Sequence, residues 1–512
     1  MKDDCIVVLD FGGQYSHLIA RRVRESGVYS ELVPHNIEPS ELIEIAPKGL
    51  ILSGSPSSVY EEKAPKCDPE IFQLGMPILG ICYGLHLISQ MLGGKVERAE
   101  KKEFGRSELQ ILDKSDLFKG LGDKITVWMS HGDYVRELPP GFETTAISPN
   151  SPFAAIKDPT RKIYGVQFHP EVVHTEQGKD MVRNFALAVC GCRPTWNMSS
   201  FIRDTIEDVR RDVAEDEKVI CAVSGGVDST ATAVLIHKAI GDRLSCIFVD
   251  HGLLRKNETF QVLQTFRDLG IDLRLVDASE RFLQALKEVK DPEEKRRIVG
   301  EEFIKVFSEE GAKLGAFQWL AQGTLYPDVI ESAKTGSPAS RIKTHHNVAG
   351  LPGWMTFKLL EPLRQLYKDE VREVASLLGV ANEICNRHPF PGPGLAVRIV
   401  GEVTTEKIRI CRDSGHIVEE ELRKSGIYDS LWQAFAIVGD DMAVGVLGDE
   451  RKYGRIVTIR IVESVDAMTA DWYRIPYDTL EKISNKITNE VTGVTWVTYA
   501  VSSKPPSTIE PC

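Results

Sequence analysis

The sequence predicts an α/β protein in which two doubly wound parallel-sheet domains are followed by a smaller α+β domain. The first observation is an alternation of short apolar segments, such as Ile6–Asp10, with segments of helical periodicity, such as Leu18–Val23. This alternation is typical of parallel strands that are buried on both faces and connected by helices. The second observation is that two apolar segments, Ile78–Ile81 and Val219–Val223, lead directly into glycine-containing turns and then into helices.

The third observation is a change of order in the last quarter of the chain. Strands are predicted at Val444–Asp449 and Ile456–Val462, and helices at Asp466–Tyr473 and Tyr477–Val491. Strands followed by helices are typical of an α+β domain. With 512 residues the chain is too long for a single hydrophobic core. A weakly patterned segment, Gly191–Thr195, predicts the first domain boundary, near residue 193.

The composition excludes several classes of function. The chain is 42% hydrophobic and 27% charged, with a net charge of −12, which argues against general binding to nucleic acid or to a membrane surface. No run of 18 apolar residues occurs, and the N-terminal residues do not resemble a signal peptide. Ten scattered cysteines lack zinc or redox spacing. We therefore expect reduced thiols in a cytoplasmic protein.

The segment Val219–Ser229 predicts an anion-binding turn. A buried strand leads through Ser224, Gly225 and Gly226 to the start of a helix. The first backbone N–H groups of a helix are free and carry the positive end of its dipole, so they favour phosphate. No lysine follows the glycines directly, which distinguishes this segment from the loop of P-loop nucleotide-binding proteins.

A second strand–turn–helix places Cys82 after the strand Ile78–Ile81, between Gly80 and Gly84. A cysteine near a helix N-terminus is favoured as a thiolate, although a lone cysteine is more often a small buried apolar residue. The segment Tyr164–Glu171 ends in His-Pro-Glu, which supplies a base, His169, and a carboxylate, Glu171, that can orient it.

Together these motifs resemble the class I glutamine amidotransferases over residues 5–190. The resemblance implies a flavodoxin-like domain with Cys82 as nucleophile, His169 as general base and acid, and Glu171 as its orienting carboxylate. It also implies an oxyanion hole and a glutamine-holding loop, formed by Gly54 with Tyr83 and by Ser130–Asp133 respectively. This chain has His86 where the family usually has glutamine, four residues after the nucleophile.

The anion-binding turn resembles the PP-loop of ATP pyrophosphatases, in which Ser224, Gly225, Gly226, Val227, Asp228 and Ser229 would hold the pyrophosphate of ATP. The resemblance adds Lys368 as a phosphate-neutralising residue and Mg²⁺ bound with ATP, for which the sequence assigns no ligands. Further motifs line up in order with the glutamine-hydrolysing GMP synthetase family: Phe248–Gly252, Ala321–Ser332, Lys343–Pro352 and Glu361–Arg372.

The resemblance to this family covers nearly the whole chain. It implies an amidotransferase domain at 1–193, an ATP pyrophosphatase domain at 194–387, and a dimerisation domain at 388–512 that begins near the rigid segment Arg387–Gly394. It also implies glutamine, ATP and xanthosine monophosphate (XMP) as substrates and a homodimer as the assembly. The implied XMP-binding residues are Arg296, Asp449, Arg451, Lys504, Ile509 and Glu510.

Three features of the C-terminal part differ from this family. The chain ends Pro511-Cys512 where the family usually ends in tryptophan and glutamate, and it has Met442 and Trp496 where basic residues are common. Two alternatives are therefore considered. One is another ammonia-using PP-loop enzyme, such as a glutamine-dependent NAD synthetase, and the other is a regulatory homologue that has lost activity.

Overall fold

A computed structural model describes residues 4–334, 357–447, 450–464 and 469–512. The chain divides into two units, Met1–Phe201 and Ile202–Cys512. The division into three domains at residues 193 and 387 stays a prediction. Two predicted features, Asp449 and the motif at 343–352, lie outside the described residues.

The first unit is built on a nine-stranded sheet with the order β2-β1-β3-β4-β9-β8-β7-β5-β6. Its strands are β1 Cys5–Asp10, β2 Tyr29–Pro34, β3 Gly49–Leu52, β4 Ile78–Ile81, β5 Lys95–Ile111, β6 Lys124–Glu137, β7 Glu143–Ile147, β8 Ala155–Asp158 and β9 Ile163–Val166. Its helices are α1 Ser16–Glu25, α2 Pro39–Ile45, α3 Tyr83–Met91 and α4 Gly178–Arg183, which continues as a π-helical turn, Asn184–Val189.

The five strands β2, β1, β3, β4 and β9 are parallel, and the remaining pairs are antiparallel. Every residue of β1, β3, β4 and β9 is buried, which explains their largely apolar sequences. The long strands β5 and β6 alternate instead, as expected for a pair with one solvated face. The carboxyl ends of β4 and β9 therefore lie side by side in the parallel part of the sheet.

The second unit begins within α5, Met198–Asp212, and contains a five-stranded, wholly parallel sheet of order β12-β11-β10-β13-β14. Its strands are β10 Val219–Val223, β11 Leu244–Asp250, β12 Leu273–Asp277, β13 Trp319–Ala321 and β14 Lys358–Leu360. The helices of this part are α6 Val227–Ile240, α7 Glu258–Asp268, α8 Ser279–Ala285, α9 Pro292–Leu314, α10 Tyr326–Lys334, α11 Lys368–Leu377 and α12 Asn382–Cys385.

The chain adds β11 and β12 on one side of β10 and later adds β13 and β14 on the other. The strand order thus reverses between β10 and β13. Such a switch point leaves a crevice at the carboxyl ends of the two strands, where open α/β sheets bind ligands. The phosphate loop predicted after β10 lies at this position.

The last part contains helix α13 Thr405–Lys424, strands β15 Gln433–Leu447, β16 Glu450–Glu463 and β17 Asp471–Trp472, helix α14 Tyr477–Glu490 and strand β18 Val494–Tyr499. The central strand β16 pairs with β15, β17 and β18. The predicted helix Asp466–Tyr473 is wrong at its end, because Asp471 and Trp472 pair with β16. Tertiary pairing overrides a weak helical periodicity over so few residues.

The predicted fold class is confirmed: parallel-dominated α/β sheets are followed by a smaller α+β part. Among the helices that the structure describes, none is both long enough and apolar enough to cross a membrane.

Candidate functional site

Cys82 lies in a strained turn between β4 and α3. Its backbone has φ +53° and ψ −102°, a conformation that residues with a side chain rarely adopt. The turn is tight because Gly84 packs on β3: a Cβ atom there would lie 2.3 Å from the carbonyl oxygen of Leu52. The N–H of Cys82 donates to the carbonyl of Val166 in β9 (2.8 Å). The thiol is thereby held at the sheet edge, at the N-terminus of α3.

His169 and Glu171 follow β9, the strand next to β4. The Nδ1 atom of His169 donates to Oε1 of Glu171 (2.7 Å), and both side chains are buried. The hydroxyl of Thr175 donates to the backbone carbonyl of His169 (2.6 Å), which fixes the turn. Because Nδ1 is occupied, Nε2 is the ring nitrogen left to exchange a proton with the thiol of Cys82, whose sulfur lies 3.7 Å from the carbonyl oxygen of Ser130. Adjacent parallel strands thus bring the three predicted residues together.

The electrostatics of this group favour a charged imidazolium. Burial of the ring lowers the pKa of His169, but the negative charges of Glu171 and Cys82 outweigh burial and hold that pKa well above its ordinary value. An imidazolium beside a sulfur atom stabilises the thiolate, which is the nucleophilic form of cysteine.

A cavity of about 760 Å³ opens in front of Cys82. It is lined by His169 and by both residues predicted for the oxyanion hole, Gly54 and Tyr83. Tyr83 is the first residue of α3, so its N–H lacks a carbonyl partner within the helix. Gly54 faces His169: a Cβ atom there would lie 3.6 Å from Cε1 of the ring.

The predicted glutamine-holding loop, Ser130–Asp133, lines the same cavity. Ser58 and Tyr60 both donate to the carboxylate of Asp133, at 2.5 and 2.9 Å. His131 is held between the backbone carbonyl of Asp133 (2.9 Å) and the carboxylate of Glu103 (3.2 Å). We did not predict Ser58, Tyr60 or Glu103, because they come from loops and an antiparallel strand without a sequence signal of their own.

His86 also lines this cavity and forms a buried hydrogen bond between its Nε2 and Oε1 of Gln167 (2.8 Å). Burial lowers the pKa of His86 to about 4, so its ring is neutral near pH 7. The unusual residue is therefore accommodated as an uncharged hydrogen-bonding group.

The second group of predicted residues lies at the crevice in the parallel sheet. Gly225 has φ +79°, and Gly226 precedes α6 as its N-terminal cap. The hydroxyl of Ser229 accepts from the N–H of Ser224 (3.1 Å) and donates to the carbonyl of Gly226 (3.1 Å). A Cβ atom on Gly225 would lie 2.8 Å from Cγ2 of Val262 in α7. The loop is thus held from within and closely backed by a helix.

Asp228 and Lys368 meet across this crevice. Nζ of Lys368 donates to both carboxylate oxygens of Asp228, at 2.7 and 2.6 Å. Asp228 is in the first turn of α6, but Lys368 is the first residue of α11, where a cation opposes the helix dipole. Two helix N-termini and a lysine therefore converge beside the loop, an arrangement suited to a polyphosphate.

Other strand ends complete the crevice. After β13, Gly323 packs against Asp228: a Cβ atom there would lie 3.2 Å from the backbone carbon of that residue. The buried Gln322 leaves its Nε2 atom without a partner. At the end of β11, the carboxylate of Asp250 accepts from the N–H of Gly252 (2.9 Å) and from the hydroxyl of Thr259 (2.6 Å).

The residues predicted for XMP lie in different surroundings. A guanidinium nitrogen of Arg296 donates to the main-chain oxygen of Cys512 (2.6 Å), so Arg296 contacts the C-terminal segment. Within this segment Lys504 pairs through its backbone with Ala470, and Ile509 is partly exposed. Arg451 lies on the β15–β16 hairpin, where it is exposed and paired opposite Val446. Asp449 is outside the described residues.

Two buried arginines that we did not predict hold the C-terminal segment. Arg460 donates to the carbonyls of Ser502 (2.5 Å) and Thr508 (3.2 Å). Arg398 donates to the carboxylate of Glu510 (3.1 and 3.2 Å). One signal was present in the sequence: Arg460 lies within the mostly apolar segment Ile456–Val462 of β16, where an arginine requires buried partners.

A metal centre formed by protein side chains alone is not found in the described part of the chain, which contains no group of three or more histidine, cysteine, aspartate or glutamate residues able to hold an ion.

The buried ion pair of His169 predicts how Cys82 reacts. Replacing Glu171 with glutamine removes the charge that holds the proton on His169, so the pKa of His169 falls. Alkylation of Cys82 by iodoacetamide at pH 7 should slow by about tenfold, since a shift of one pKa unit is about 1.4 kcal/mol. Mass spectrometry of the Cys82 peptide measures the rate.

The matched control is Glu176→Gln, which changes an exposed glutamate five residues away that accepts from the N–H of Thr126. This variant should react at the wild-type rate. An unchanged rate in Glu171→Gln would contradict the electrostatic role of the carboxylate.

Comparison with known proteins relates both units to one enzyme family. A family model for class I glutamine amidotransferases matches residues 7–189, and a model for the GMP synthase C-terminal domain matches residues 420–511. A glutamine-hydrolyzing GMP synthase from Thermosynechococcus vestitus is 54% identical over 513 residues, covering 99% of this chain and 96% of that protein. The protein of the same name from Aquifex aeolicus is 55% identical over 505 residues, covering 99% of each chain.

A third relative of that name, from Synechocystis sp., is 54% identical over 518 residues, covering 100% of this chain and 95% of that protein. The resemblance predicted from the motifs is confirmed, and neither alternative is favoured. The chain belongs to the family of glutamine-hydrolysing GMP synthases.

Proposed function

We propose that the protein is a carbon–nitrogen ligase that converts XMP to GMP, using glutamine as nitrogen donor and ATP as activating substrate. The products are GMP, glutamate, AMP and pyrophosphate. The observation that carries this proposal is that one chain holds both a buried cysteine–histidine–carboxylate group and a phosphate loop at a sheet switch point.

In the first half-reaction, the thiolate of Cys82 attacks the side-chain carbonyl of glutamine. The oxyanion that forms accepts from the N–H groups of Gly54 and Tyr83. His169 donates its proton to the leaving nitrogen, the carbon–nitrogen bond breaks, and ammonia departs from a thioester. His169 then removes a proton from water, which attacks the thioester and releases glutamate and the Cys82 thiolate. Glu171 keeps the ring oriented throughout, because its Oε1 atom accepts from Nδ1 of His169 at 2.7 Å.

In the second half-reaction, the purine 2-oxygen of XMP attacks the α-phosphorus of ATP. The bond to pyrophosphate breaks, and the leaving group is held by the N–H groups and hydroxyls of the phosphate loop and by Lys368. The attacking oxygen becomes part of an AMP leaving group, which ammonia displaces to form GMP. The residues we assign to pyrophosphate are Ser224, Gly225, Gly226, Val227, Asp228, Ser229 and Lys368.

Mg²⁺ belongs to this scheme as part of the MgATP substrate. It commonly keeps several water ligands and binds through substrate phosphates with only one or two carboxylates. Asp228 is the acidic side chain at the loop, and it pairs with Lys368 at 2.6 Å. The chain thus offers a carboxylate beside the phosphates. When bound, the ion would offset the charge of the phosphates.

We assign the acceptor to the C-terminal segment and the residues around it. Lys504 and Arg296 carry the positive charge that a nucleotide monophosphate requires, whereas Glu510 can accept from purine N–H groups. Ile509 supplies an apolar contact. Asp449 and Arg451 remain assigned to the same ligand by family resemblance.

We infer a homodimer formed through the β15–β16 hairpin. Met442, Val444 and Val446 alternate along β15 and therefore share a face, and Tyr453 lies directly opposite Val444 on β16. All four side chains are exposed large hydrophobic residues. An apolar strip of this kind is typical of an interaction surface. We place the enzyme in the cytoplasm, because all ten of its cysteines are free thiols.

The central test varies the acceptor. Protein, MgATP and ammonium are combined with XMP, with inosine monophosphate or with the NAD precursor that carries a free carboxylate, and AMP is measured. AMP should form with XMP alone, because only XMP offers the purine 2-oxygen. AMP with another acceptor and none with XMP would overturn the proposed function.

A second prediction separates the two half-reactions. Cys82→Ala should abolish GMP formation from glutamine, whereas GMP formation from ammonium should stay within about twofold of wild type, since only the first half-reaction needs the nucleophile. The matched control is Cys67→Ala, which removes another buried thiol of the same unit. Equal loss with both nitrogen sources would contradict this division of labour.

The proposed interface predicts the oligomeric state. Val446→Glu places a charge on a side chain that is 72% exposed in the single chain but would be buried in the dimer. Sedimentation velocity should show the wild type as a dimer and this variant as a monomer. Val173→Glu, at a residue that is 78% exposed in the first unit, should remain dimeric. A dimeric Val446→Glu would exclude this face.

A further inference from the structure

Arg398 is a buried cation held on all sides. It lies at the end of a short 3₁₀ helix, Gly394–Arg398, and only 3% of the residue is exposed. Its Nε and Nη2 atoms donate to the two carboxylate oxygens of Glu510, at 3.2 and 3.1 Å. A planar guanidinium that binds a carboxylate through two nitrogens fixes the orientation of that carboxylate as well as its position.

Two aromatic rings hold the guanidinium. Its central carbon lies 4.8 Å from the ring centroid of Phe390 and 4.3 Å from that of Phe435. Gln433 donates to Oε1 of Glu510 (2.6 Å), the oxygen that also accepts from Nη2 of Arg398, and to the carbonyl of Pro389 (3.1 Å). The carboxylate of Glu510 is therefore held in one position by Arg398 and Gln433.

From Arg398, a series of contacts leads through the ring of Phe390 toward the phosphate loop. The other cation on this ring is Arg255, whose guanidinium carbon lies 4.2 Å from the ring centroid. The backbone N–H of Arg255 donates to Glu258 (3.0 Å), and Arg387 donates to the same carboxylate (3.0 Å). Glu258 begins α7 and is buried.

The last step reaches the loop itself. Oε1 of Glu258 lies 3.7 Å from the position that a Cβ atom on Gly225 would occupy, and Val262 of the same helix lies closer still, at 2.8 Å. A contiguous set of packed and hydrogen-bonded groups therefore links Glu510 to Gly225. Because these groups are packed against or hydrogen-bonded to one another, a shift of the Glu510 carboxylate relative to the phosphate loop would break one of these contacts.

We propose that Arg398 is a positioning residue for the acceptor nucleotide: it holds the Glu510 carboxylate at a fixed place relative to the phosphate loop, so that the purine 2-oxygen meets the α-phosphorus of ATP. This inference rests on the proposed function. Arg398 itself touches neither reacting atom. Its effect is exerted through Glu510, which contacts the acceptor.

A merely structural role requires residue 398 only to fill space, whereas a positioning role requires it to donate to the carboxylate of Glu510. Methionine can fill the space between two aromatic rings and packs well against them, but it cannot donate to a carboxylate. Lysine restores one charged donor without the two-point geometry of arginine. The pair Arg398→Met and Arg398→Lys therefore separates packing from positioning.

The test measures AMP formation from ammonium and MgATP with XMP varied. Arg398→Met should raise KM for XMP by about tenfold or more, the effect of losing a hydrogen-bonded charged partner, while KM for MgATP stays within about twofold. Arg398→Lys should give an intermediate KM for XMP. The matched control, Arg211→Gln, removes an exposed arginine that pairs with Asp208 and should leave both constants unchanged.

A second readout follows the C-terminal segment without catalysis. Sγ of Cys512 lies 3.7 Å from the carbonyl of Ile399, the residue after Arg398, and its side chain is half-buried. Releasing Glu510 should expose this thiol, so a maleimide should modify Cys512 about tenfold faster in Arg398→Met than in wild type. Saturating XMP should slow the reaction in the wild type.

The outcomes are distinct. If the wild type forms AMP with XMP and a folded Arg398→Met has an unchanged KM for XMP, the positioning role is overturned while the proposed function stands. If Arg398→Met does not fold, Arg398→Lys decides, and an unchanged KM for XMP again overturns the inference. A wild type that forms no AMP with XMP overturns the proposed function and this inference with it.

Discussion

Parallel strands that are buried on both faces can offer reactive side chains only where they end, and this constraint governs both candidate sites. In the first unit, β4 and β9 are neighbours, so Cys82 and His169 emerge at one edge of the sheet. In the second unit, the reversal of strand order beside β10 opens the crevice that contains Ser224 and Gln322. The apolar interior of each sheet stabilises the fold, and the chemistry is confined to the turns that follow.

Each site keeps a charge arrangement that would be unfavourable without its neighbours. The buried carboxylate of Glu171 is stabilised by the imidazolium of His169. The imidazolium is in turn stabilised by the carboxylate. Lys368 opposes the dipole of its helix, and the carboxylate of Asp228 offsets that cost. Both arrangements are suited to a reaction in which negative charge develops or arrives.

The C-terminal segment after Tyr499 forms no strand or helix, so it depends on side chains from elsewhere for its position. Arg398 and Arg460 are buried cations whose partners are the carboxylate and backbone carbonyls of this segment. Binding through carbonyls is insensitive to the side chains that follow. Glu510 is held differently, through its side-chain carboxylate, to which Arg398 and Gln433 donate.

Local patterns in the sequence determined the fold class, the strand–turn–helix units and the residues Cys82, His169, Glu171 and Ser224–Ser229, because each depends on residues close together in the chain. Asp471–Trp472 was mispredicted because a two-residue strand exists only through its partner. Tertiary structure alone decided that Ser58 and Tyr60 hold Asp133, that Lys368 meets Asp228, and that Arg398 reaches Glu510. These contacts join residues 73 to 140 positions apart, where no periodicity or spacing carries a signal and only the packing of the sheets brings the side chains together.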